Sequence, residues 1–197
     1  MTDRIDVQSA SALLDFTGGG AGAIGADAAY GQLEGAVALH NMLAIQNVAY
    51  IADEVGMGKT YVALGAIALL RHFNPSMRVL VIAPRKNIQD KWVREWGNFV
   101  RTIVRVEDMR VKALGGLPAR ALVRVDSLVD LATKVSLDPD RDFFARLTSF
   151  SVSFDGDTAG AQKRRKALLD VVPSINPNLL SLQSKDRFKL NFGRALN

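Results

Sequence analysis

Three observations predict an α/β fold with a parallel sheet flanked by helices. Apolar strand patterns at Asn47 to Ile51 and Arg78 to Ala83 alternate with helical ones, in the order strand, loop, helix, strand, helix. A glycine loop lies at the carboxyl end of the first strand, which is where open parallel sheets collect ligands. The chain's 197 residues, 48% hydrophobic and 23% charged, suffice to bury a core.

Residues 1–27 are rich in Gly, Ala, Ser and Asp, and Gly18, Gly19, Gly20, Gly22 and Gly25 interrupt any periodic pattern, so a flexible arm is expected there. From Ala28, the recurrence of Tyr30, Leu33, Val37, Met42 and Ile45 predicts an amphipathic helix through Gln46 that leads into the first strand. The loop Asp53 to Gly58 follows. Lys59 to about Arg71, rich in alanine and leucine, reads as a buried helix that Asn74 and Pro75 stop. After the second strand, Asn87 can cap a helix through Phe99, with Ile88, Trp92, Glu95, Trp96 and Phe99 on neighbouring turns. Trp92 and Trp96 share a face and are expected in the core.

Beyond Val100, strands are expected at Ile103 to Val106 and Arg120 to Val125, around a turn at Gly115, Gly116 and Pro118. Ser127 should cap a helix to about Val135, and Asp138 followed by Pro139 reads as another helix start. The stretch Ser149 to Asp155 alternates as a half-exposed strand does, and 158–172 is a basic helix candidate containing Lys163, Arg164, Arg165 and Lys166. The domains expected are the arm 1–27, a P-loop core 28–110, and 111–197 as the remainder of that domain or a basic helical insertion.

Absence of cysteine excludes disulfide frameworks, thiolate zinc sites and cysteine nucleophiles, and His40 and His72 are too few for a histidine metal site. The apolar run Val62 to Leu70 is far shorter than the roughly 20 residues of a membrane span, so no membrane association and a cytoplasmic setting are expected. Charge is divided unevenly. Residues 1–70 hold two basic and seven acidic side chains (net −5), and 71–197 hold 23 and 13 (net +10), so a polyanionic partner is expected for the second part.

Asp53-Glu54-Val55-Gly56-Met57-Gly58-Lys59-Thr60 has the strand-to-helix context of a phosphate-binding loop. Gly56 and Gly58 let backbone N–H groups face an anion, and the helix N-terminus adds partial positive charge. Lys59 would reach the β and γ phosphates of ATP, and Thr60 would give its hydroxyl to Mg²⁺. The general pattern has glycine where this chain has Asp53.

The wording Asp-Glu-x-Gly-x-Gly-Lys-Thr resembles motif I of the Swi/Snf-type ATPases of helicase superfamily 2. Upstream, Tyr30-Gly31-Gln32-Leu33-Glu34-Gly35 is similar to the family's Tyr-Gln-x-Glu-Gly segment, with one extra residue at Gly31. Downstream, Val79 to Pro84 followed by Trp92 and Glu95 resembles motif Ia. The resemblance covers residues 30 to about 99. It implies a RecA-like P-loop NTPase fold and ATP hydrolysis coupled to movement along double-stranded DNA. It also implies that Gln32 binds adenine, that the loop through Lys59 and Thr60 holds phosphates and Mg²⁺, and that Arg85, Lys86 and Asn87 meet the DNA backbone.

Hydrolysis in such a fold needs an apolar strand ending in an acidic pair, which the family writes Asp-Glu-x-His. No such sequence follows motif Ia, the nearest substitute being Asp155, and the second RecA-like domain is also missing. The expected function is therefore the ATP-binding portion of a DNA-dependent ATPase or translocase, inactive alone, incomplete, and partnered in its parent chain by that second domain. The alternative is a non-hydrolysing P-loop module that senses nucleotide or binds DNA. A metabolic kinase fits the basic second half and the motif Ia resemblance less well. His40 and His72 receive no functional role, and Lys163 to Lys166 would touch DNA, act as a sorting signal or form a solvated face.

Overall fold

Among the described residues, eight helices and strands follow one another: α1 (Val7–Leu13), α2 (Ala26–Gln46), α3 (Lys59–Phe73), β1 (Leu80–Ala83), α4 (Lys86–Thr102), β2 (Leu122–Arg124), α5 (Leu128–Leu137) and β3 (Asp142–Arg146). They come from a computed structural model that describes residues 4–18, 24–52, 58–105, 107–138 and 140–150. The sheet is parallel in the order β1, β3, β2, with Leu80 beside Phe143 and Val123 beside Phe143 on the other side.

Side-chain alternation fixes what each sheet face meets, because residues in register across a parallel sheet share a face. Phe144 points toward α4, where its ring meets Trp92 edge-on at 6.0 Å. Phe143 and Ala145 point the other way, into a cluster with Val125 that Leu131 and Val135 of α5 cover. Leu80 and Ile82 share that second face by register but stand 45% and 49% exposed, so α5 shields β2 and β3 and leaves β1 open.

The larger core lies on the α4 side and joins α1, α2, α3 and α4 through Ala10, Leu14, Leu33, Val37, Leu64, Leu69, Trp96, Phe99 and Val100. Helices α2 and α3 approach closely because Gly65 lacks a side chain. A Cβ there would lie 2.8 Å from the Ala36 Cβ and 2.9 Å from Phe16 Cζ. Both tryptophans serve packing as expected: Trp96 is buried, stacks on Phe99 and donates to the Arg120 carbonyl at 3.2 Å.

Several expectations are corrected. Over 4–18 the expected flexible arm is a folded element: the Asp6 carboxylate caps α1 by accepting from the Ser9 N–H at 2.7 Å, and Leu14 bridges to Val104. Burial of Ile5, Ala10, Leu14 and Phe16 outweighs the glycines that follow. The expected strand Ile103 to Val106 reduces, over its described residues, to that bridge.

Asn47 to Ile51 forms no ladder with any strand among the described residues. Asn47 ends α2 in the left-handed conformation at φ 58°, and Ala49 and Ile51 then pack on Leu39, Val62 and Ala66 while Val48 and Tyr50 face outward. The segment has the alternation of a strand without a neighbouring strand's hydrogen bonds. Helix α4 starts two residues earlier than expected, with Arg85 rather than Asn87 at its cap.

Asp138 and the residues after it do not open a helix. Asp138 closes α5, and Asp142 to Arg146 form the central strand, because burying Phe143 and Phe144 between two strands outweighs a local helix-start signal. Ser149 and Phe150 belong to a 3-10 turn (Leu147–Phe150), whereas 151–155 and the basic stretch 158–172 lie outside the described residues. Elsewhere α2, α3, β1, β2 and the Ser127-capped α5 fall within a few residues of their expected positions.

Candidate functional site

Helix α3 begins at Gly58, which has φ 76° and ψ 22°. An L-residue adopts this left-handed conformation at a cost, and glycine adopts it freely. A second constraint acts at the same position: a Cβ on Gly58 would collide with the Gln32 side-chain amide. Gln32, half-buried on α2, therefore lies directly against the start of α3, and two sequence-predicted residues 26 positions apart (58 − 32) are brought together.

The first intrahelical bonds of α3 run from the Tyr61 and Val62 N–H groups to the Gly58 carbonyl, at 2.8 and 3.1 Å. The N–H groups of Lys59 and Thr60 lie ahead of those bonds, Gly58 has no side chain to cap them, and the first turn holds no acidic residue. The dipole of such an end carries partial positive charge toward the loop before it. Lys59 and Thr60, both half-buried, open the helix, whereas Asp53, Glu54, Val55, Gly56 and Met57 lie outside the described residues. The next residue, Tyr61, meets Phe99 edge-on at 5.6 Å, and burial, with the charge of Glu95 adding to it, raises its phenol above the ordinary range.

The second candidate group sits at the carboxyl end of β1. Pro84, Arg85, Lys86 and Asn87 are all exposed, and Arg85 caps α4 with its carbonyl accepting from the Gln89 N–H at 3.2 Å. Gln89, which sequence reading does not single out, fixes this turn on the sheet. Its buried amide donates to the Phe144 carbonyl at 2.5 Å and the Val125 carbonyl at 3.4 Å, so α4 is tied to the middle of β3 and the end of β2. The signal was a polar residue three and seven positions before Trp92 and Trp96, on the apolar face of the helix.

At those strand ends Arg146 donates to Asp126 at 3.1 Å, and Arg124 pairs with Asp90 at 2.5 Å. Asp155 lies outside the described residues. Among the described residues no group of three or more His, Asp or Glu side chains is arranged to hold a metal ion, and no helix is long and apolar enough to cross a membrane. His40 is buried against Phe73, and His72 Nδ1 lies 3.1 Å from the Asp108 carboxylate at the far end of α3 from the loop.

No curated protein and no solved structure matches the chain. Residues 30–114, somewhat less than half of it, match the family model described as the type III restriction enzyme, res subunit. The matched span runs from the helix that carries Gln32, through α3 and β1, to the end of α4 and the loop beyond. That span is thus similar to a RecA-like segment of helicase superfamily 2 of the restriction-enzyme type.

Proposed function

We propose that this chain is the ATP-binding portion of a DNA-dependent ATPase or translocase, of the kind that the Swi/Snf-type motif wording implies. The observation that carries the reading is the meeting of Gln32 with Gly58 at the uncapped start of α3. Adenine recognition by a glutamine and phosphate recognition by a helix N-terminus belong to one ligand, and here the two groups adjoin.

In this reading the backbone N–H groups from Gly56 to Thr60 hold the phosphates, the Lys59 ammonium neutralises the β and γ oxygens, and the Thr60 hydroxyl is the chain's Mg²⁺ ligand. Asp53, Glu54, Val55 and Met57 complete the loop. When bound, ATP with Mg²⁺ supplies the transferable phosphoryl group. Arg85, Lys86 and Asn87 contact the backbone of double-stranded DNA, a role that suits exposed cations and an amide following a strand's carboxyl end.

The acids that orient the attacking water are missing from this reading. Two observations support that: the buried central strand β3 ends in Arg146, and the neighbouring acid Asp126 is engaged by that arginine. The same observations favour a second reading, a P-loop module that binds nucleotide without hydrolysing it.

Titration of the full chain with a fluorescent ATP analogue and Mg²⁺, followed by a phosphate-release assay, tests the proposal. Saturable binding that Lys59→Ala abolishes, without turnover, is expected. Equal affinity in that variant refutes the site, and robust Lys59-dependent turnover refutes the missing acids.

A further inference from the structure

Helix α4 carries a second feature that the turn at Arg85 to Asn87 does not use. Going around the helix at 100° per residue, Lys91, Arg94 and Arg101 fall with Asn87 and Asn98 inside one arc of about 80°. Lys91, Arg94, Arg101 and Asn87 are exposed, Asn98 is half-exposed, and no acid lies within the arc. The buried face is opposite, with Gln89, Trp96, Phe99 and Val100.

Its acids stand at the margins and are already engaged. Asp90 pairs with Arg124 of β2, and Glu95 lies 3.8 Å from Lys91. An exposed i,i+4 pair of this kind is worth only about 0.3–0.5 kcal/mol, so Lys91 can exchange it for another anion. Arg94 and Arg101, like Arg85 and Lys86, form no ion pair among the described residues. Gly97, toward the edge of the arc, leaves open space where a side chain would project.

We infer that duplex DNA engaged at the Arg85 to Asn87 turn continues along this arc, with Lys91, Arg94 and Arg101 each on a phosphate; the inference rests on the DNA reading of that turn. Two features favour nucleic acid. The arc is continuous with the turn, since Asn87 belongs to both, and it lies in the part of the chain whose net charge is +10 (23 − 13). From Asn87 to Arg101 it runs roughly 21 Å, about six phosphates of one strand at 3.4 Å of axis each. Cations and amides without apolar anchors suit a backbone, whereas a folded protein partner would ask for a buried centre.

The test is binding of a fluorescent 20-base-pair duplex to the full chain over a range of salt concentrations. For K91A/R94A/R101A the slope of log K against log salt should fall by about 2.7, and for R85A/K86A by about 1.8, with the two losses adding. R94K/R101K should keep the wild-type slope. All these positions are exposed, so melting temperatures should not move; should the triple variant melt early, R94Q/R101Q removes charge with helix-compatible side chains and should lower the slope by about 1.8.

An unchanged slope in the α4 variants, with a reduced one in R85A/K86A, overturns the inference and leaves the DNA reading of the turn intact. No binding of the duplex by the wild-type chain overturns both. Polyglutamate binding as tightly as DNA, and lost in K91A/R94A/R101A, would assign the arc to an acidic protein and overturn the inference as well.

Discussion

The two ends of α3 are built on opposite rules. At its N-terminus, Gly58 supplies no cap and the first N–H groups face outward from the ladder. At its C-terminus, Arg71 is fully buried and forks onto Asp142 of β3, with Nη1 to Oδ2 at 2.7 Å and Nη2 to Oδ1 at 2.9 Å. Nη2 also donates to the Met77 carbonyl, and Asp142 Oδ1 accepts from the Val79 N–H just before β1. The end with no side-chain cap is the one proposed to bind a ligand; the other uses its polar groups to fix helix, loop and central strand together. In that proposal a single helix separates binding from anchorage by about four turns.

The largest expected effect breaks the anchored end. Arg71→Ala leaves Asp142 charged and buried without its partner, and urea denaturation should show a loss of about 3–5 kcal/mol. The pair itself is a different matter, because replacing both groups with apolar ones removes the desolvation cost together with the attraction. R71M/D142L should therefore recover part of the loss, the remainder reflecting the Val79 N–H and Met77 carbonyl that lose their partners. A double variant as unstable as Arg71→Ala would show that the ion pair contributes net stability.

At the other end the signs reverse. Lys59→Ala should weaken nucleotide binding about 100-fold, roughly 2.7 kcal/mol, and displace the urea midpoint far less than Arg71→Ala does. A shifted midpoint with unaltered affinity would make the N-terminus another structural end and remove the contrast. Between the ends, Gly65→Ala tests the contact that holds α3 against α2 and Phe16. The added Cβ meets the Ala36 Cβ, which cannot swing away, so a destabilisation of about 1–3 kcal/mol is expected by thermal or urea unfolding.

What the sequence discloses follows the same division. The start of α3 was legible because it depends on a local requirement, glycine at a left-handed turn ahead of a helix-forming run. Helices α2 and α4 and the packing role of Trp92 and Trp96 were legible from spacing. The Arg71–Asp142 pair was not, since its members are 71 residues apart and each alone reads as an ordinary surface charge. Strand β3 was hidden for a related reason: Asp138, Asp140 and Arg141 look like a helix entry until Asp142 is buried by its arginine. Helix α1 carried a capping signal, Asp6 with Ser9, that the glycines following it obscured. Local chemistry can be read along the chain, and pairing between distant segments cannot.

The smallest effect concerns His40, which packs its ring on Phe73 at 5.3 Å between centroids and places Nδ1 3.2 Å from Asn41 Oδ1. Asn41 in turn accepts from the Ile5 N–H and donates to the Ile5 carbonyl, holding the segment before α1 on α2. With Nδ1–H donating to Asn41, the buried Nε2 is left without a hydrogen-bond partner, so a second proton would be charged, desolvated and unpaired. Burial accordingly holds the His40 pKa below its ordinary 6.5, against a smaller opposite contribution from Asn41. The unfolded chain then binds the proton more readily, and stability is fully present above pH 6.5 and declines as pH falls from there toward the lowered folded-state value. One proton gives a slope of at most about 1.4 kcal/mol per pH unit. Urea midpoints measured from pH 8 to pH 5 should fall for the wild-type chain and fall less for His40→Gln, the difference being confined to the acid side. Identical pH profiles would mean that the ring reaches solvent before it is protonated, and the segment around Ile5 would then be the part of the core that opens first.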